Sequence, residues 1–116
     1  MDQQLRLILE LWESLSPIGT KRMFGGYGVF KDGLMFAIFI RGVLYFKVDS
    51  LTVSSFHQRS LKPFTYERLN KLGEKKLVEL SFFEAPLDIY DDPSIAIDWA
   101  RKAVGSALRV KNKSSD

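Results

Sequence analysis

The chain has 116 residues, 46% hydrophobic and 27% charged, which suits one soluble domain with a real apolar core and argues against disorder. Cysteine is absent and histidine occurs once, so disulfides, thiolate metal sites and histidine-cluster metal sites are all excluded. The net charge is +3, and the surplus sits in residues 21–60, where Lys21, Arg22, Lys31, Arg41, Lys47 and Arg59 are offset only by Asp32 and Asp49. A surplus this small is compatible with an acidic partner surface or with nucleic acid and dictates neither.

The chain opens as a helix. Asp2 is placed to cap it, and Leu5, Ile8, Leu9, Trp12 and Leu15 recur along one face until Ser16-Pro17-Ile18-Gly19 ends it. No basic region followed by an apolar run precedes this pattern, and Leu34–Ile40, the longest apolar stretch, is too short to cross a bilayer as a helix. The expected location is the cytoplasm, with no membrane partner.

From Lys21 the spacing changes to strands and turns. Lys21–Phe24 is extended, Gly25-Gly26 bends the chain, Tyr27–Lys31 follows, and Asp32-Gly33 is a two-residue hairpin signal. Leu34–Ile40 and Val43–Val48 continue the meander around Arg41-Gly42. Asp49-Ser50 then caps a short helix to about Arg59, with Leu51, Val53 and Phe56 turned inward. Phe64–Arg68 and Lys75–Phe82 form a second hairpin around Asn70 and Gly73. Asp91 and Asp92 precede Pro93 at the start of the last helix, whose inward stripe is Ile95, Trp99, Ala103, Val104, Ala107 and Leu108. Arg109, Lys111 and Lys113 complement its C-terminal end. No linker divides the chain, so the reading is a single α+β domain over 1–110 with an antiparallel sheet, and 111–116 as a flexible basic and polar tail.

Few residues invite chemistry. Arg22-Met23-Phe24-Gly25-Gly26-Tyr27-Gly28 is rich in glycine, but a phosphate loop needs Lys-Ser/Thr at a helix start, and a dinucleotide fingerprint needs a third glycine where Lys31 stands. Gly25, Gly26, Gly28, Asp32 and Gly33 are therefore read as residues that shape turns and close packing. No serine lies in a Gly-x-Ser-x-Gly elbow, and His57 has no sequence companion for acid–base work. Glu84, Asp88, Asp91 and Asp92 lack the calcium-loop spacing, and Asp91-Asp92-Pro93 reads as capping. No catalytic, cofactor-binding or metal residue is assigned, and no enzyme is expected.

Leu34–Ile40 is apolar on both faces, unlike the half-solvated strand usual in antiparallel sheets. Either helices cover both sides of the sheet, or another molecule covers one. The second alternative makes the chain a protein-binding module, a homodimer through the apolar sheet being one form of it. Its candidate partner-binding residues are Arg22, Lys31, Arg41 and Lys47. The alternative is direct nucleic-acid binding by the basic 21–60 segment, where Tyr27, Phe30, Tyr45 and Phe46 interleave with the bases.

The string Arg22 to Phe30, then Asp32-Gly33-Leu34-Met35-Phe36-Ala37, then Leu44-Tyr45-Phe46-Lys47-Val48-Asp49, resembles the TfoX N-terminal domain family. Lys62-Pro63-Phe64-Thr65-Tyr66 and Asp98-Trp99-Ala100 with Ala103 fit the same pattern, so the likeness runs from about Gln4 to Leu108. The resemblance implies an α+β fold of order α-β(3)-α-β(2)-α, similar to secretion chaperones. It implies a bacterial positive regulator of competence and DNA transformation, with a transcription factor such as the cyclic-AMP receptor protein as partner, and neither catalytic residues nor cofactor. Full-length regulators of this kind carry a second, C-terminal helical domain to which nothing in this sequence corresponds.

Overall fold

The Asp2 carboxylate accepts the Gln4 N–H at 2.7 Å and starts the first helix, α1 (Gln3–Leu11), as the sequence predicts. A computed structural model describes residues 1–114. In it α1 ends at Leu11 rather than Leu15, because the chain tightens into a 3-10 turn at Glu13–Leu15. Four strands follow: β1 (Gly19–Met23), β2 (Gly26–Lys31), β3 (Leu34–Ile40) and β4 (Val43–Lys47). After a short helix α2 (Val53–His57) come β5 (Pro63–Leu69), β6 (Lys75–Glu84), a 3-10 turn at Leu87–Tyr90 and the long helix α3 (Pro93–Ser114). The α+β class and the antiparallel sheet stand. The first strand group has four members where the resemblance implies three, since every residue of Gly19–Met23 pairs with β2.

All six strands form one antiparallel sheet in the order β1-β2-β3-β4-β6-β5. Its three tight turns share one build. Phe24-Gly25, Asp32-Gly33 and Arg41-Gly42 each hold two successive positive φ angles, the geometry that matches the twist of a hairpin. The first turn is thus centred one residue earlier than the predicted Gly25-Gly26. Met23 pairs with Gly26, which is already strand.

The double-sided apolarity of β3 has a local cause. Val29 pairs with Ala37, but the next residue, Phe30, pairs with Met35, so Phe36 is an extra residue on β3. This bulge turns both Phe36 and Ala37 toward the helices and reverses the phase of the strand. Leu34, Phe36, Ala37 and Phe39 join the main core with α1 and α3, while Met35, Ile38 and Ile40 go to the other side.

The main core lies between the sheet and the helices. Trp12 packs at 5.2 Å from Phe36 and 5.9 Å from Phe46 between ring centroids, and its indole N–H donates to the Ala96 carbonyl at 2.9 Å. That bond ties α1 to α3 and satisfies the polar end of a fully buried tryptophan. Trp99 is only half-buried, stacked edge-on against Phe56 at 5.1 Å. Phe56 faces inward as expected and Val53 is half-buried, but Leu51 is exposed because α2 begins after it. Leu108 is likewise exposed. Asp92 caps α3, accepting the Ser94 N–H at 2.7 Å. The helix runs to Ser114, so residues 111–114 are helical rather than tail, and 115–116 lie outside the described residues. Among the described residues no helix is long and apolar enough to cross a membrane.

Candidate interaction surface

The side of the sheet away from the helices has its own small cluster, built entirely of strand residues. Ile38, Ile40 and Phe82 are buried there beneath Met35, Tyr45, Phe64 and Leu80. Phe64 reaches Tyr45 edge-on at 5.2 Å although β6 separates their strands, so the sheet curls toward this side. The curl leaves an open groove of about 420 Å³, floored by Ile38, Ile40 and Leu80 and walled by Phe24 at one side and Phe64 and Tyr66 at the other, with Arg41 beside it. Phe24 is 58% exposed and Tyr66 40% exposed.

Phe24 stands out physically. It holds φ +58, a region where a bulky side chain is disfavoured, and its ring projects into solvent. The strain is local to the turn, and its result is an aromatic ring displayed over an apolar floor. Two glycines bring the strands close enough to form that floor. A Cβ on Gly26 would run into the Phe39 carbonyl oxygen, and one on Gly28 would meet the Met23 and Met35 sulfurs at 2.6 and 2.8 Å. Gly25 and Gly33 serve the turns through positive φ, as does Asp32. The glycine-rich string thus shapes main chain.

Arg22, Lys31, Arg41 and Lys47 are not brought together. Arg22 lies on edge strand β1 with its guanidinium 5.8 Å from the Tyr27 ring, among residues that face the helix side. The Lys31 ammonium donates to the Leu15 carbonyl at 2.6 Å and closes the end of the 3-10 turn. Only Arg41 borders the aromatic groove. Lys47 lies over the Phe82 ring at 5.0 Å, bonds the Ser81 hydroxyl and lines a different groove with Arg109 and Lys113. Burial pushes the Lys47 ammonium below its usual pKa, against a smaller opposing pull from Asp49. Tyr45 is pushed up, first by burial and then by Glu84, with Arg41 opposing.

The most polar buried arrangement surrounds Asp49, which the sequence places only as a helix cap. Its carboxylate accepts from Arg109 Nε at 2.6 Å and Nη2 at 3.2 Å, from Ser106 at 3.1 Å and from Thr52 at 3.2 Å. The Arg109 bond, with the two hydroxyls in support, holds Asp49 well below the usual carboxylate range. The same carboxylate accepts the Leu51 N–H at 3.2 Å, so this arrangement joins α3 to the β4–α2 corner. The other candidate acids are dispersed: Asp88 pairs with Arg59 at 3.3 Å, Asp92 caps α3, and Glu84 accepts the Lys62 N–H at 3.0 Å. His57 is exposed and packs edge-on against Phe83 at 5.5 Å. Among the described residues no three His, Asp or Glu side chains converge on a common point.

The sequence places Phe24 at the end of one strand and Tyr66 within another, and marks neither as a surface feature. A usable signal was the pattern of a non-glycine residue followed by glycine, which repeats at Phe24-Gly25, Asp32-Gly33 and Arg41-Gly42 and marks each hairpin turn.

A search of curated proteins found no match. The TfoX N-terminal domain model matches residues 10–107, a span that takes in every strand of the sheet and most of α3. Its match covers the strained Phe24 turn, the bulged β3 and the helix clamped by Trp12 together, and the chain therefore belongs to the TfoX N-terminal domain family.

Proposed function

We propose that this chain is a non-catalytic regulatory module that binds another protein through the helix-free side of its sheet. The family association points to positive regulation of competence and DNA-transformation genes in the bacterial cytoplasm, with a transcription factor such as the cyclic-AMP receptor protein as the partner. The observation that carries the reading is the pairing of two exposed aromatic side chains, Phe24 and Tyr66, with an apolar floor that no helix covers. Aromatic anchors around an apolar groove, with an arginine at the rim, are the usual makings of a binding hot spot.

The test is calorimetric titration of the cyclic-AMP receptor protein with the wild-type chain and with Phe24→Gly, Tyr66→Ser and Arg41→Glu. The wild type binds, and each substitution weakens binding roughly tenfold or more. Absence of wild-type binding, or equal affinity across the series, contradicts the proposal.

A second reading, direct nucleic-acid binding, is favoured by one observation. Lys47, Arg109 and Lys113 line a common groove of about 510 Å³, although Asp49 engages the Arg109 guanidinium. Titration with duplex DNA at two salt concentrations separates the readings, since phosphate contacts make affinity fall steeply with salt.

A further inference from the structure

Strand alternation sorts the charges of β5 and β6 onto two faces. Arg68 pairs with Lys76 and Tyr66 with Val78, so these side chains share the face on which Tyr66 walls the aromatic groove. Thr65 pairs with Glu79, Glu67 with Leu77 and Leu69 with Lys75, and all of these belong to the opposite face. Over these rows the groove face carries cations alone, whereas the other mixes Glu67 and Glu79 with Lys75. Arg68 and Lys76 are exposed and stand directly opposite each other, an arrangement that costs stability within a sheet. Among the described residues neither makes an ion pair, nor does Arg41 beside the groove. Glu84, opposite Tyr45 on β6, accepts the Lys62 N–H instead.

From this segregation we infer that the occupant of the groove is an acidic segment of a partner protein, an inference that rests on the groove being a protein-binding site. An apolar side chain of that segment sits on Ile38, Ile40 and Leu80. Its carboxylates meet Arg41 at the β3–β4 turn and the Arg68–Lys76 pair one row beyond Tyr66, so cations border the groove from two parts of the sheet. A carboxylate between Arg68 and Lys76 relieves an opposition that the fold itself leaves uncompensated, and this charge complementarity selects acidic partners over basic ones. The same features disfavour nucleic acid. A concave groove of about 420 Å³ with an aliphatic floor takes a peptide side chain, whereas a duplex presents a charged phosphate backbone to its proteins.

The experiment is fluorescence anisotropy of the full chain with a short dye-labelled peptide, a central Leu-Phe pair flanked by aspartates, and with a counterpart in which lysine replaces each aspartate. The wild type binds the acidic peptide roughly tenfold or more tighter than the basic one. Arg68→Glu and Lys76→Glu each weaken the acidic peptide roughly tenfold, and each raises the thermal unfolding midpoint because unlike charges then stand opposite. The rise distinguishes a cation kept for a partner from one that supports the fold. A wild type that binds both peptides equally or neither, or charge variants that keep wild-type affinity or unfold at a lower temperature, overturns the inference. So does a duplex DNA oligonucleotide that displaces the acidic peptide and loses affinity in both charge variants, since the cations then serve phosphate. Phe24→Gly keeps the two proposals apart. Peptide binding that depends on Phe24 but not on charge strikes the acidic segment and leaves the groove standing, whereas binding indifferent to Phe24 strikes the groove and the inference with it.

Discussion

At the scale of single residues, Phe24 separates fold from function. Left-handed backbone at a bulky side chain costs roughly 1–2 kcal/mol, and glycine removes that cost while adding about 0.5–1 kcal/mol of chain entropy to be lost on folding. Its ring is mostly in solvent, so little packing is forfeited. Phe24→Gly is therefore expected to be between neutral and about 1 kcal/mol more stable in urea denaturation, even as it weakens partner binding. A clear loss of stability would mean that the ring holds the sheet together rather than serving a partner. That Gly25, Gly26 and Gly28 act through the main chain was legible from the sequence, since no phosphate motif fits them. Which glycine does which task was not. The centre of the turn depends on Met23 pairing with Gly26, and the need for Gly26 itself depends on a carbonyl in β3.

At the scale of elements, the joint between α3 and the β4–α2 corner rests on Asp49. Its bonds to Arg109 are charge-assisted and partly buried, so Asp49→Asn is expected to cost about 1–3 kcal/mol. The pH dependence has a definite sign. The folded pKa of Asp49 lies below that of an unfolded aspartate, about 3.9, so its contribution is fully present above that value and is lost as the pH falls through the folded pKa. Wild-type stability, measured by urea midpoints from about pH 7 down to about pH 3, should decline more steeply than that of Asp49→Asn. Parallel curves would show that the pair contributes nothing. The sequence supported a capping role for Asp49 because Asp-Ser before an apolar run is a local signal. In the structure Asp49 does accept the Leu51 N–H at 3.2 Å, but its shortest bond goes to Arg109, sixty positions away, and a local signal carries no knowledge of such a partner. Helix starts with local causes, Asp2 before α1 and Asp92 before α3, were legible for the same reason.

At the scale of the molecule, strand positions, three helices and an antiparallel sheet followed from periodicity and turn residues. The placement of all helices against one side of that sheet did not. Alternation in Leu34–Ile40 leaves open whether both faces are covered, because an extra residue at Phe36 changes which side chains share a face. The bond from Trp12 to Ala96 then holds α1 and α3 together on the same side, leaving Ile38, Ile40 and Phe82 to shelter beneath strand residues alone. The exposed aromatic groove on that side is the basis of the proposed regulatory role. Amide hydrogen exchange with and without saturating cyclic-AMP receptor protein tests it most directly. Slowed exchange is expected at the Phe24-Gly25 and Arg41-Gly42 turns and along β5, with α1 and α3 unchanged; protection confined to α1 and α3 would rule out the groove as the binding surface.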